Sequence, residues 1–125
     1  MAGFIYVGAG GALGAVLRYA ISLLPYKGGF PLLTFLTNVI GAVVIGCIAG
    51  VMAHRGMNPQ MALFLKTGVC GGFTTFSTFS LETYELLHRG NYKTAAVYMI
   101  LSMALCLAGI AVGLYLAEQF GCGRG

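Results

Sequence analysis

Four long apolar stretches occupy most of this 125-residue chain, and they constrain its fold more than any other feature. A helix of about 20 consecutive apolar residues is needed to cross the hydrocarbon core of a bilayer. The stretches that reach this length cover about residues 4–24, 32–53, 61–87 and 94–117. The sequence therefore predicts an all-α membrane protein with four transmembrane helices, forming a single transmembrane domain over residues 1–125.

The composition supports a membrane location. The chain is 58% hydrophobic and 8% charged, against roughly 45–50% and about 25% in ordinary soluble domains. Its seven basic residues outnumber the three acidic ones, but they occur singly near the ends of apolar stretches, where cations meet lipid headgroups. We therefore expect a lipid bilayer and no nucleic acid as partner. The first stretch lacks the basic start and polar cleavage zone of a signal peptide, so we expect it to remain as a span.

The third stretch differs from the others, because its middle reads Gly-Gly-Phe-Thr-Thr-Phe-Ser-Thr-Phe-Ser over residues 71–80. Paired glycines and crowded hydroxyl residues destabilise helix, whereas unsatisfied backbone groups in hydrocarbon cost several kcal/mol. Broken helix at that depth is tolerated only where protein or a water-filled path replaces the missing partners. We therefore predict that the third helix is broken mid-membrane and that the break is the functional site.

The distribution of positive charge predicts how the chain inserts. Four spans would place the basic residues in two nearly equal groups, with Arg55, Lys66 and Arg124 on one side and Lys27, Arg89 and Lys93 on the other. Because the Lys and Arg bias sets orientation, this near tie predicts insertion in both directions and an antiparallel, dual-topology homodimer. One bundle of four helices encloses too little interior for an aqueous path, so transport would require at least two copies.

Glycine pairs with small-xxx-small spacing recur in three spans, at Gly10/Gly14, Gly46/Gly50 and Gly109/Gly113. Such pairs let two helix backbones approach closely. They predict either tight packing within one bundle or a dimer interface.

Two polar residues lie inside apolar spans. Arg18 could snorkel to the headgroups, or it could face inward and draw anions into a vestibule. Asn38 needs a hydrogen-bond partner, either as a bond between helices or as a donor lining a path.

Further polar and aromatic residues share helical faces. Tyr98, Ser102 and Cys106 are spaced i, i+4, i+8 and form a polar track, which indicates either hydrogen bonds between helices or one side of a conduit. Phe76 and Phe79 flank two hydroxyl residues and share a face. Their rings could be lipid-facing or core aromatics, or their positive edges could solvate an anion weakly.

Enzyme chemistry is not indicated. Glu82, Glu85 and Glu118 lie near span ends, and no nucleophile has a base on the same face. The four cysteines lack the spacing of metal sites. We therefore expect a protein that is not an enzyme.

The stretch Gly-Val-Cys-Gly-Gly-Phe-Thr-Thr-Phe-Ser-Thr-Phe over residues 68–79 resembles the central motif of the Fluc (CrcB) family of fluoride channels. Supporting matches lie in the first span at residues 10–19, in the second at residues 37–41 and in the polar track of the fourth. The resemblance implies a fluoride-selective ion channel that passively exports fluoride across the cytoplasmic (inner or plasma) membrane and lowers fluoride toxicity. It also implies a dual-topology homodimer with two antiparallel pores.

The same resemblance implies roles for individual residues. The family's pore-lining aromatics, whose ring edges meet the ion, are matched by Phe76 and Phe79. Its pore asparagine is matched by Asn38, and its vestibule arginine by Arg18. The hydroxyl groups that line its pore are matched by Ser77, Thr78, Tyr98 and Ser102. The backbone carbonyls of Gly71 and Thr74 match those that hold a structural sodium ion (Na+) at the dimer centre. Cys106 departs from the family pattern, because some members carry a hydroxyl there and a thiol is a weaker donor.

Two other classes of membrane protein share some of these features. A small multidrug exporter should carry a glutamate in its first span, and this chain has none there. A membrane scaffold without transport activity would explain the glycine pairs, but it leaves the segment of residues 71–80 unexplained.

Overall fold

The computed structural model describes residues 1–122, and all regular structure in that range is helical, with no strand. The elements are α1 (Ala2–Ser22), α2 (Leu32–Arg55), α3 (Pro59–Ala62), a π-helix (Leu63–Cys70), α4 (Gly71–Phe73), α5 (Phe76–His88) and α6 (Tyr92–Cys122). Three stretches are helical, long and apolar enough to cross a membrane, namely Ala2–Ser22, Leu32–Arg55 and Tyr92–Phe120. The all-helical, multi-pass membrane class predicted from the sequence is confirmed. Arg124, which entered the charge balance, lies outside the described residues.

The third apolar stretch is divided into helical pieces rather than forming one continuous helix. It begins at Asn58, whose side-chain Oδ1 accepts the backbone N–H of Gln60 at 2.8 Å and so caps α3. Helix then continues through the π-helix and α4 to Phe73. Thr74 and Thr75 adopt extended backbone angles, and α5 follows them. Two extended residues therefore join the two helical halves of this segment.

The glycines of α1 pack directly against the backbone of the π-helix. A methyl group added at Gly10 would collide with the carbonyl oxygen of Phe64, and one added at Gly14 would collide with that of Val69. Only glycine permits such an approach of two helix backbones. α1 is therefore held against the segment that leads into the extended residues.

A second close contact joins α2 to α6. A methyl group added at Gly46 would meet the carbonyl oxygen of Ile110, and one added at Gly113 would meet that of Val43. Gly50 and Gly109 face the other helix of the same pair. Of the two alternatives for the glycine pairs, packing within one bundle therefore describes the contacts in this chain.

The buried core is small and lies where α5 meets α6. Leu86, Ala95 and Tyr98 are buried, and Phe30, Phe35 and Phe79 pack against them. Elsewhere the long helices expose many large apolar side chains. Because lipid tails are themselves apolar, exposed side chains of this kind suit a membrane and need no further protein cover.

Candidate functional site

Asn38 on α2 satisfies both polar backbone groups of Thr75. Its Oδ1 accepts the N–H of Thr75 at 2.8 Å, and its Nδ2 donates to the Thr75 carbonyl oxygen at 3.1 Å. A buried backbone group left without a partner costs about 1–3 kcal/mol. The Asn38 carboxamide therefore supplies the acceptor that the Thr75 N–H lacks at the interruption, and it adds a second donor to the Thr75 carbonyl, which already accepts the first bond of α5 as its N-cap. Of the two predicted alternatives, hydrogen bonding between segments is observed.

Thr75 also caps the helix that follows it. Its Oγ1 accepts the backbone N–H of Thr78 at 3.1 Å and donates to the Thr78 hydroxyl at 3.1 Å. The hydroxyl of Ser77 lies 3.4 Å from the same Oγ1. The predicted hydroxyls of Ser77 and Thr78 thus gather around this cap. Thr75 itself was not predicted as a site residue, although a threonine directly before a helix is a common N-cap.

The diverted hydrogen bonds leave two carbonyl groups without their usual helical donors. In a continuous α-helix the N–H of Thr75 would donate to Gly71, and the N–H of Thr78 would donate to Thr74. Here those N–H groups bond to Asn38 and to the Thr75 hydroxyl instead. Gly71 and Thr74 are the two residues whose carbonyls are predicted to hold sodium.

Arg18 on α1 reaches the same interruption from another side. Its Nε donates to the carbonyl oxygen of Gly72 at 3.1 Å, and the side chain is partly buried. In a continuous helix this carbonyl would bond to the N–H of Phe76, which here begins α5. A cation at the C-terminal end of α4 also suits the partial negative charge of exposed carbonyls. The guanidinium of Arg18 thus contacts protein at the break, as an inward-facing arginine would.

A cleft of about 320 Å³ opens where α2, the extended residues and α6 meet. Its lining includes five of the predicted site residues, namely Asn38, Thr74, Phe76, Phe79 and Ser102. Cys106 also lines it. Arg18, Gly71, Ser77, Thr78 and Tyr98 are not part of this lining.

Ser102 presents an unpaired hydroxyl at this cleft. The residue is only 7% exposed, and its Oγ finds no hydrogen-bond partner among the described residues. Buried hydroxyls are almost always paired, and leaving one unpaired costs about 1–3 kcal/mol. Ser102 thus places a hydroxyl that lacks a partner within the described part of the chain next to the cleft.

Three aromatic rings form a row from the protein surface to the core. Phe76 is 79% exposed, and its ring centroid lies 5.8 Å from that of Phe79. Phe79 in turn lies 4.9 Å from the ring of Tyr98, which is fully buried. Phe76 and Phe79 both line the cleft, so the predicted pair of aromatics shares one site. The exposed position of Phe76 leaves its ring edge accessible.

The polar track on α6 divides into two parts. The Tyr98 hydroxyl donates to Glu82 Oε1 at 3.0 Å, and the Thr34 hydroxyl donates to Glu82 Oε2 at 3.1 Å. Tyr98 therefore makes a hydrogen bond between helices, whereas Ser102 and Cys106 line the cleft.

Glu82 was expected to lie near a span end, and its hydrogen bond to Tyr98 was not predicted from the sequence. It lies three residues after Phe79 on α5, hence on the same helical face, and this spacing was the available signal. Together with Glu85 and Arg89 it also lines a second cleft of about 230 Å³.

Comparison with known proteins places the chain among close relatives. Residues 5–114 match the family described as CrcB-like protein, Camphor Resistance (CrcB). A protein of Methylobacterium nodulans named "Fluoride-specific ion channel FluC" is 44% identical over 120 residues, covering 94% of this chain and 95% of the relative. "Fluoride-specific ion channel FluC 2" of Nitrobacter hamburgensis is 46% identical over 120 residues, covering 93% and 97%. A protein of Azobacteroides pseudotrichonymphae, also named "Fluoride-specific ion channel FluC", is 39% identical over 118 residues, covering 91% and 94%.

Proposed function

The chain belongs to the CrcB family, a family of ion channels and not of enzymes, and from that membership we propose that it is a fluoride-selective ion channel. Fluoride would leave the cell passively across the cytoplasmic membrane. The observation that carries the proposal is the cleft, in which a carboxamide, an unpaired hydroxyl and two phenylalanine rings meet beside the interrupted helix. All of these groups are neutral.

Neutral groups suit an ion that must enter and leave quickly. The carboxamide of Asn38 has two N–H donors, and only one is needed for its bond to Thr75. The second N–H, the Ser102 hydroxyl and the positive ring edges of the phenylalanines can replace part of the hydration shell of fluoride. None carries a full charge, so the ion would not be trapped. A narrow path lined in this way favours the smallest halide.

An antiparallel homodimer is the second part of the proposal. The cleft is open to the surface of a single chain, and the Phe76 ring at its edge is 79% exposed. A second copy would cover both, and two copies in opposite orientation would give two antiparallel pores. The near tie in basic residues between the two sides supports insertion in both directions. The divided third segment would complete a fourth crossing, with its break at mid-membrane depth.

A structural sodium ion at the dimer centre is the third part. The carbonyls of Gly71 and Thr74 have lost their helical donors to Asn38 and Thr75, and unwound backbone carbonyls are oxygen ligands that bind Na+ inside membranes. The residues present therefore fit this ion, with two carbonyls contributed by each subunit. When bound, Na+ would supply positive charge that compensates these carbonyl oxygens.

The consequence for the cell follows from the chemistry of hydrogen fluoride. The neutral acid crosses membranes, ionises inside and can leave only as the anion. A passive fluoride path in the inner membrane, driven by the fluoride gradient and the membrane potential, would therefore lower cytoplasmic fluoride toxicity.

Purified protein in liposomes is expected to pass fluoride and exclude chloride, measured with a fluoride-selective electrode after a gradient is imposed. Phe76→Ile and Phe79→Ile should each lower fluoride efflux by about tenfold, which corresponds to losing about 1.4 kcal/mol of stabilisation along the path. Phe4→Ile is the matched control, because Phe4 is 81% exposed and does not line the cleft. Equal chloride flux, or unchanged efflux in both cleft variants, would contradict the channel mechanism.

The protein in mild detergent is expected to have twice the mass of one chain by light scattering.

Replacing Na+ with N-methylglucamine should lower the midpoint of thermal unfolding, because the carbonyls of Gly71 and Thr74 would lose their compensating charge. Lithium or potassium in place of Na+ provides the control for ionic strength. A stable monomer would contradict the proposed dimer. An unfolding midpoint that does not depend on the cation would contradict the sodium site but not the dimer.

A further inference from the structure

The wall that α6 contributes to the 320 Å³ cleft consists entirely of residues with a sulfur or hydroxyl group. They are Met99, Ser102, Met103 and Cys106. The three sulfur residues are spaced i, i+4, i+7, so they lie on one face of the helix within two turns. The mechanism proposed above for fluoride gives no role to the sulfur atoms of this cluster (Met99, Met103 and Cys106).

The residues that carry these sulfur atoms line the cleft and are not fully buried. Met99 is 39% exposed and Met103 is 66% exposed. Cys106 is a free, half-buried cysteine. The buried Oγ of Ser102, which lacks a partner among the described residues, lies one turn before Cys106 and adds an oxygen donor or acceptor to the same wall. A ligand seated here would therefore lie beside three residues that carry sulfur and one that carries a hydroxyl.

The chemistry of these groups identifies the ligand class. Thiolate and thioether are soft ligands that select Cu(I)-like cations. Among the residues that the structure describes, no histidine or carboxylate lines the cleft, so ions that depend on nitrogen or carboxylate ligands, such as Mg²⁺, find no suitable set there. We propose that the cleft binds one soft monovalent metal cation, Cu(I) or Ag(I), through the Cys106 thiolate and the thioethers of Met103 and Met99.

The charge balance is compatible with an apolar site. As the sulfur–metal bond forms, the S–H bond of Cys106 breaks and its proton passes to water. The thiolate and the monovalent cation then form a pair with no net charge. This pair suits an apolar site, because burying a net charge there is costly. A divalent cation would leave one positive charge uncompensated in the same place.

A bound metal would also obstruct fluoride. The sulfur cluster shares the cleft with Asn38 and Phe76, the groups assigned to the fluoride path. We therefore expect soft monovalent metal to inhibit efflux. This second consequence rests on the proposed function, whereas metal binding does not.

Metal binding is measured by equilibrium dialysis of the purified full-length protein against silver nitrate in chloride-free buffer. Wild-type protein should retain one tightly bound Ag+, Cys106→Ser should lose it, and Met103→Leu should bind it at least about tenfold more weakly. Cys47→Ser and Met61→Leu are matched controls, because Cys47 is also half-buried and Met61 is 49% exposed, and neither lines the cleft. Retention of the tight Ag+ by Cys106→Ser, or its equal loss in Cys47→Ser, would overturn the proposal.

Inhibition is measured on the same variants in liposomes, in fluoride medium without chloride. Each efflux rate is compared with the rate of the same variant before silver is added. A change in the basal flux of a variant therefore does not affect the measured inhibition. Ag+ should inhibit the wild type and both control variants and leave Cys106→Ser uninhibited. If Ag+ binds but efflux is not inhibited, bound metal does not obstruct the fluoride path. If no sample passes fluoride, the channel proposal is contradicted, and the dialysis experiment alone decides whether the metal site exists.

Discussion

Replacing Asn38 with leucine is expected to abolish fluoride efflux and to lower the free energy of unfolding by about 1–3 kcal/mol, because the backbone N–H of Thr75 would lose its acceptor. Leucine is close in size to asparagine but can neither accept the Thr75 N–H nor donate to the Thr75 carbonyl. In a membrane, water is not available to replace these bonds. The extended residues should then shift, and the cleft that they line should lose its shape.

Efflux from liposomes and thermal unfolding in detergent measure the two effects of Asn38→Leu. Thr37→Val is the matched control on the same helix, since the buried Thr37 hydroxyl donates at 2.7 Å only to Leu33 of its own helix. Valine preserves its shape and should leave efflux nearly unchanged. If Asn38→Leu conducts fluoride like the control, Asn38 is not needed at the interruption.

Gly14→Ala is expected to destabilise the protein by about 1–3 kcal/mol or more, as over-packed sites do. The added methyl group would meet the carbonyl of Val69 and the N–H of Phe73, which are backbone atoms and cannot move aside alone. The helix propensity of alanine, better than that of glycine by about 0.8–1.0 kcal/mol, offsets only part of this cost. Because these atoms belong to the π-helix and α4, the interruption should be displaced and efflux should fall strongly.

The control for Gly14→Ala is Gly8→Ala in the same helix, where an added methyl group finds no atom within 4 Å. This variant gains the same helix propensity without the collision, so its midpoint of thermal unfolding should stay constant or rise. Equal midpoints for the two variants would show that α1 does not depend on close backbone contact.

Hydrophobicity alone predicted much of the fold. The first span was expected over about residues 4–24, and α1 covers Ala2–Ser22, because a run of apolar residues and Pro25 fix its limits. α6 extends beyond the expected residues 94–117 to Tyr92–Cys122, since span prediction follows hydropathy and helical hydrogen bonds continue past the apolar core. The composition of residues 71–80 predicted irregular backbone, and the extended Thr74 and Thr75 lie within it.

Other features depended on contacts between distant residues. The π-helix of Leu63–Cys70 was not predicted, because local sequence carries little signal for an i to i+5 hydrogen-bond pattern. The bonds of Asn38 to Thr75 join residues 37 positions apart, so the sequence left two roles open for Asn38. Tyr98 was grouped with Ser102 by helical spacing, but the carboxylate of Glu82 on another helix engages it.

Three hydrogen bonds from two different helices hold the interruption in place. Arg18 of α1 bonds to Gly72 before the extended residues, and Asn38 of α2 bonds to Thr75 within them, at distances of 2.8–3.1 Å. Lengthening by about half an ångström takes such bonds out of the favourable range. The two helices therefore hold the extended residues in one position, and the proposed fluoride path beside them would discriminate between ions by radius.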